Sequence, residues 1–349
     1  MTEIKFMKSL ASDNYAGVIP EVINAIAQVN TGHESSYGQD QFSARVGDLF
    51  QNLFGRKVQY NFAFNGTGAN LLGLSSILKP YEAVVCTEYA HIYVDESTAP
   101  ELFTGARLRA VPINKEGKLD PEKIAAFCIR KGDMHYAQCK AVTITQSTEY
   151  GTVYTPDEIK NISIVCKENK LYLHVDGARI LNAAASLGIS LQEMCTETGV
   201  DLLTFGITKA GALAAEAVVF INPELGEMSA FFQKRNAQLC SKSRFIAAQF
   251  LGMLENENWK KYTLHANQMA KVLAEKLHHF EQIFITKPVQ SNAVFAIMPA
   301  EWILQLQKVI PFYIWNEQLN EVRLMCSWDT TEADINSIIM KLEELAQEK

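Results

Sequence analysis

No CxxC pair, no block of basic residues and no long apolar run occurs anywhere in this chain. Its cysteines fall singly at 86, 128, 139, 166, 195, 240 and 326. That spacing excludes a zinc site of the CxxC kind, and an odd count argues against a disulfide framework. The thiols instead fit a reduced cytoplasmic protein, in which buried cysteine behaves as a small hydrophobe. The formal net charge is −7 without clustered Lys or Arg, so nucleic acid is a poor partner and a small molecule a better one. No stretch approaches the ~20 apolar residues of a membrane span. The opening MTEIKFMKSLASDNY lacks the apolar centre of a signal peptide. Neither a GxGxxG nor a Walker loop is present, and no internal repeat stands out.

What the chain does have is length and apolar content: 349 residues, 48% hydrophobic and 20% charged, enough core for two domains. Short β-branched runs recur at 61–66, 83–88, 107–113, 141–146, 171–177, 201–208 and 216–221. Most are too continuously apolar to have one wet face, which implies a sheet covered on both sides. Helical patterns alternate with them. TPDEIKNISIVCKEN (155–169) opens with Thr155 as N-cap, Pro156 in the first turn and Glu158 completing a capping box. Such alternation predicts an α/β fold with a mainly parallel sheet. After about residue 225 long helical patterns lead to a linking helix near 250–280. Short strands at 283–288, 292–299, 312–317 and 321–328 then interleave with helices at 300–310 and 332–347. We expect a large domain over 1–255, including the N-terminal segment, and a smaller α+β domain over 256–349.

Three local features carry chemistry. In AFNGTGANLLGLSSIL a strand runs into Asn65-Gly66-Thr67-Gly68 and then an apolar helix. Glycines admit close backbone approach, and a helix N-terminus offers free N–H groups to an anion; a plain strand-to-helix turn would look the same. In LHVDGAR, His174 and Asp176 share one face of a strand, at the end where α/β sheets place ligands. Asp176 there reads as a helix-capping acid, as half of a His/Asp metal pair without a third ligand, or as a carboxylate facing a cationic heterocycle. Lys209, at the end of LLTFGITKAG and 33 residues beyond Asp176, decides among these. A core lysine without a partner is costly. Phosphate loop, strand-end aspartate and strand-end lysine are together the minimal equipment for pyridoxal 5′-phosphate: the lysine condenses with its aldehyde, and the aspartate keeps its ring nitrogen protonated.

With these residues in view, the chain resembles the threonine aldolases, members of the aspartate-aminotransferase-like, type I pyridoxal phosphate enzymes. The resemblance runs nearly end to end, through SDNYAGVIPEVINAI (12–26), YGQD (37–40), NGTGAN (65–70), CTEYAHIYVDE (86–96), LHVDGARILNAAASLG (173–188), FGITKAG (205–211) and VRLMCSWDT (322–330). It implies that Lys209 holds the cofactor, Asp176 pairs with its ring nitrogen, Gly66 and Thr67 bind its phosphate, and His91 stacks on its ring. Arg179, also placed against the cofactor, and Arg323 would grip the substrate carboxylate, with Ser12 assisting. His135, in GDMHYAQ, matches a histidine near the substrate hydroxyl. Tyr37 and Arg244 match residues that reach the site from a neighbouring subunit, Arg244 against the cofactor with Lys242 nearby. A homo-oligomer with shared sites, either a dimer or a tetrameric dimer of dimers, is therefore expected, with no metal. The implied reaction is retro-aldol cleavage of L-threonine or L-allo-threonine to glycine and acetaldehyde, with His91, His135 or a water between them as base. β-Elimination or transamination on the same fold, and a non-catalytic binding protein, are the rivals. Two positions depart from the family pattern: Ala210 and Ala215 stand where relatives commonly carry Asn and Gly. The TQSTEYGTVYT stretch likewise differs from the ENTHN form of other branches.

Overall fold

The computed structural model describes residues 8–347. Seven strands make the larger sheet: β1 (Gln59–Ala63), β2 (Glu82–Thr87), β3 (Arg107–Val111), β4 (Gln138–Thr145), β5 (Tyr172–Gly177), β6 (Leu202–Gly206) and β7 (Glu216–Phe220). Their order is β1-β7-β6-β5-β4-β2-β3, and all run the same way except β7, which is antiparallel to both neighbours. Four further strands, β8 (Phe284–Ile285), β9 (Ala293–Ile297), β10 (Tyr313–Asn316) and β11 (Glu321–Met325), form an antiparallel sheet in the order β10-β11-β9-β8. The expected mainly parallel α/β sheet with a smaller α+β unit is thus present. β8 is shorter than the 283–288 stretch predicts, because Lys287 and Pro288 turn away from the ladder.

Helices cover both faces of the large sheet. They are α1 (Pro20–Val29), α2 (Gln41–Phe54), α3 (Gly66–Ile77), α4 (His91–Val94), α5 (Ala99–Thr104), α6 (Pro156–Asn169), α7 (Ile180–Leu187), α8 (Ser229–Arg235) and α9 (Arg244–Leu254). One face packs Phe50, Phe54, Phe205 and Phe250 with Ile159, Ile162, Leu203 and Val219. The other packs Leu72 and Leu74 of α3 against Leu202, Val218 and Phe220. Leu202 and Val218 thus face opposite to their neighbours Leu203 and Val219, which is why the strands read as unbroken apolar runs. The capping box on α6 forms as read, with Thr155 Oγ1 accepting from Glu158 N–H and Glu158 Oε2 from Thr155 N–H.

α10 (Asn258–Leu277), α11 (Ala300–Leu306) and α12 (Glu332–Gln347) complete the chain. The single linking helix expected near 250–280 is broken: Asn256 and Glu257 take φ of 57° and 55°, so α9 stops at Leu254 and α10 starts afresh at Asn258. Left-handed backbone is costly for a residue with a Cβ and ends a helix. Leu273, Leu277, Val294, Leu324, Ile335 and Ile338 make the small-sheet core, and Leu10 joins it. Leu10 is bonded there through its N–H to Pro311 and its carbonyl to Met325 N–H. The other face of that sheet carries Ala293, Phe295 and Met325 against Tyr150. Arg323 lies two residues before Met325 and so points the same way, toward the large sheet.

Candidate functional site

A cavity of about 410 Å³ opens where the strand ends of the large sheet face β10 and β11. Ser12, Gly66, Asn70, His91, Thr145, Glu149, Asp176, Arg179, Lys209, Trp315 and Arg323 line it. Its volume suits a small ligand, and its position beyond the carboxyl ends of β4, β5 and β6 is where open α/β sheets bind one.

Asp176 ends β5. Its Oδ1 accepts from Ala178 N–H at 3.0 Å and its Oδ2 from Asn70 Nδ2 at 2.9 Å. Lys209 lies in the connection from β6 to β7, three residues past Gly206. Among the described residues its amine makes no hydrogen bond or ion pair. Burial, reinforced by the Arg179 charge, pulls its pKa down, although Asp13, Asp176 and Glu216 work against that. A desolvated amine is a better nucleophile at neutral pH. Buried Glu216 stands behind it on β7, directly across from Gly206. A Cβ at Gly206 would sit 2.6 Å from Glu216 Oε2, so glycine makes the room the carboxyl occupies.

At the N-terminus of α3, Asn65 Oδ1 caps Gly68 N–H at 2.7 Å, and Ala69 N–H opens the helical ladder onto Asn65 O. The Gly66 and Thr67 N–H groups are left without a partner among the described residues, and nothing lies within 4 Å of where a Cβ on Gly66 would be. Such an end is an anion seat. His91 opens α4, with Nδ1 2.8 Å from Glu96 Oε1. That contact is the main reason its pKa is raised, against the effect of burial.

Two arginines share the far wall. Arg179 is tied to Asp13, while Arg323 donates to Ala11 O at 3.1 Å and lies over the Tyr313 and Trp315 rings. Among the described residues, Arg323 Nε is buried without a partner. Burial and the nearby Arg179 charge both press its pKa down, a strain that an anion between the two guanidiniums would relieve.

The remaining expected residues lie elsewhere. His135 is exposed in the loop that enters β4, at the opposite end of the strands from the cavity, where its N–H meets Asp133 Oδ1. Tyr37 is 52% exposed, with its N–H on Ser241 O and its ring near Lys234. Arg244 donates to the Thr31 and Gly32 carbonyls, and Lys242 is exposed beside it. One chain therefore assembles Ser12, Gly66, His91, Asp176, Arg179, Lys209 and Arg323, and not His135, Tyr37 or Arg244. His174 is no metal ligand: Thr143 and Thr204 hydroxyls engage its two ring nitrogens, and burial lowers its pKa to about 4. Ala215 is fully packed in the core, its N–H and carbonyl both on Thr208 Oγ1.

Sequence reading missed Asp13, Asn70, Glu96, Glu149 and Glu216. Asn70 could have been found, as a lone amide inside the apolar helix ANLLGLSSIL.

The residues fit pyridoxal phosphate on these observations: an unpaired half-buried amine, open N–H groups at α3, and a carboxylate, all at one cavity. Comparison with known proteins agrees. The beta-eliminating lyase family matches residues 9–301. A low specificity L-threonine aldolase of Pseudomonas aeruginosa is 42% identical over 98% of this chain and 96% of its own. One from Escherichia coli K12 is 26% identical over 78% of this chain and 79% of its own. The solved threonine aldolase of Leishmania major superimposes with a TM-score of 0.91 at 30% identity, covering 97% of this chain and 99% of that one. Aspartate aminotransferase from Thermus thermophilus shares the fold alone, with a TM-score of 0.69 at 16% identity over 97% of this chain and 92% of that one. The chain belongs to the beta-eliminating lyase family and, within it, to the threonine aldolases, which are pyridoxal phosphate-dependent lyases.

Proposed function

We propose that this protein cleaves L-threonine and L-allo-threonine to glycine and acetaldehyde with pyridoxal 5′-phosphate as cofactor. The observation that carries the reading is the unpaired Lys209 amine facing a cavity that also holds Asp176 and two arginines. When bound, the cofactor supplies an electron sink for the pair left on Cα as the Cα–Cβ bond breaks.

The chain supplies everything else. Lys209 would hold the cofactor through its amine, which lines the cavity. Asp176, fixed by Asn70 and the Ala178 N–H, offers its carboxylate to the pyridine nitrogen. Gly66 and Thr67 meet the phosphate with main-chain N–H groups. Arg179 and Arg323 clamp the substrate carboxylate, which turns the breaking bond to the side where the hydroxyl meets a base. His91 is that base: Glu96 accepts from Nδ1, so Nε2 is the nitrogen free to take the β-hydroxyl proton. The same contact with Glu96 raises its pKa above the ordinary histidine value.

Exposed Tyr37 and Lys242 and half-buried Arg244, which lie close together, are read as contributions to the site of a second copy, and His135 as another. A homo-oligomer, dimeric or tetrameric, follows. Among the described residues no helix is long and apolar enough to cross a membrane, and all seven cysteines are free; a cytoplasmic setting suits both. We also read 1–255 and 256–349 as the two domains, on the separate cores of the two sheets.

Incubation of the cofactor-loaded enzyme with either threonine isomer should yield glycine and acetaldehyde in equal amounts. Pyruvate-type keto acid with ammonia, or a second amino acid as product, would move the assignment to elimination or transamination.

A further inference from the structure

Glu96 does not line the cavity, yet its side chain is 0% exposed. Its Oε1 accepts from His91 Nδ1 and from Asn70 Nδ2, each at 2.8 Å. Asn70 Nδ2 gives its second hydrogen to Asp176 Oδ2 at 2.9 Å. An amide nitrogen carries two hydrogens, and both are spent here on carboxylates. One unbroken run of hydrogen bonds therefore joins His91, Glu96, Asn70 and Asp176. Among the described residues, Asn70 Oδ1 and Glu96 Oε2 are buried without a hydrogen-bond partner. Leaving two polar atoms unsatisfied is expensive for a fold, so the arrangement is not one that stability alone selects.

We propose that Glu96, acting with Asn70, is a positioning residue that fixes His91 with its hydrogen on Nδ1 and locks that ring to Asp176 as a single unit. The proposal rests on the reading above that His91 and Asp176 face one ligand. The two residues that the cofactor's ring would meet are then set by one another, through α3, and not by α4 and β5 separately. The third member of the run, Asn70, sits four residues past Gly66, so the helix that offers its N-terminus to the phosphate also carries the amide that spaces the two carboxylates.

Glu96→Gln tests this, because a glutamine Oε1 can still accept from both His91 and Asn70 while the charge is lost. The groups around His91 that remain are Asp176, Glu149 and Asp95, with Lys209, Arg179 and Arg323 opposing them. With Glu96 neutral, His91 binds its proton less tightly. The acid limb of kcat/KM should move down by about one pH unit, with kcat reduced and KM little changed. Cofactor affinity, read without turnover by quenching of tryptophan fluorescence in a protein whose Trp315 lines the cavity, should fall about tenfold, the size of one weakened hydrogen bond. Thermal melting identifies any variant that fails to fold; Glu96→Asp, which keeps the charge but retreats from His91 by one methylene, then replaces it, with the same fall in cofactor affinity and a smaller downward move of the acid limb expected. An acid limb and a cofactor affinity that both overlay those of the parent would overturn the proposal. The affinity measurement decides it even if neither threonine isomer is cleaved, so its failure and that of the assigned reaction are separable.

Discussion

Arg179 and Asp13, 166 positions apart in the chain, meet through two hydrogen bonds: Nε to Oδ2 at 2.7 Å and a terminal nitrogen to Oδ1 at 2.9 Å. Asn292 Nδ2, from the residue just before β9, adds a third at 3.1 Å on the same carboxylate. Burial alone would raise the Asp13 pKa, but the guanidinium overrides it and keeps the group below its usual value. The pair presents Arg179 to the cavity with one edge already engaged and the other open.

Asp13→Asn should therefore be severe. Removing one partner of a buried pair strands the other charge, and such losses run to about 3–5 kcal/mol. Urea unfolding of the variant should show that loss, and a change under 1 kcal/mol would mean that Arg179 finds a substitute anchor.

Lys209→Ala should leave a folded protein that no longer retains cofactor after borohydride reduction and denaturation, because the amine that forms the covalent link is gone. Mass spectrometry of the reduced protein measures this directly, and an adduct of cofactor mass still present in the variant would place the link on another residue.

Glu216 predicts a pH effect on stability. Burial, only partly offset by Thr208 and Lys209, pushes its pKa up to about 7 in the fold, against an ordinary value of 4.5. A raised folded pKa means the native state binds the proton more tightly. The resulting stabilisation is complete below pH 4.5 and is lost as pH rises toward 7, a swing of about 3 kcal/mol. Glu216→Gln removes this dependence. Relative to the parent, the cofactor-free variant should gain stability between pH 5 and pH 8 in denaturant titrations; parallel pH curves would count against it.

Shared sites can be tested by complementation. Tyr37→Phe combined with Arg244→Ala should be inactive alone, and so should Lys209→Ala. Mixed oligomers of the two should regain activity, because one site in each can then draw intact groups from both chains. Mixtures no more active than their components would confine each site to one chain.

The strands of the large sheet were legible because both their faces are buried, so apolar runs such as AVVCT and EAVVF mark them without ambiguity. Thr155 and Glu158 likewise announced α6 through a purely local pairing. Lys209 and Asp176 stood out as charges at the ends of apolar strands. Glu96, Glu149 and Asp13 did not, because they sit in loops or short turns where polarity is ordinary and their partners are far away in sequence. Asn70 reaches Asp176 across 106 positions, a pairing that no window of sequence contains. The break at Asn256 escaped notice for the opposite reason: the helical apolar pattern continues on both sides of it, and only the backbone angle records the interruption.

Residues 10–19 run from one core to the other. Leu10 is sewn into the small sheet, Asp13 grips Arg179, and Ile19 N–H closes on Gly211 O two residues beyond Lys209. This stretch is a tie rod. A tilt of the small sheet against the large one would pull along it on the guanidinium and on the lysine loop together.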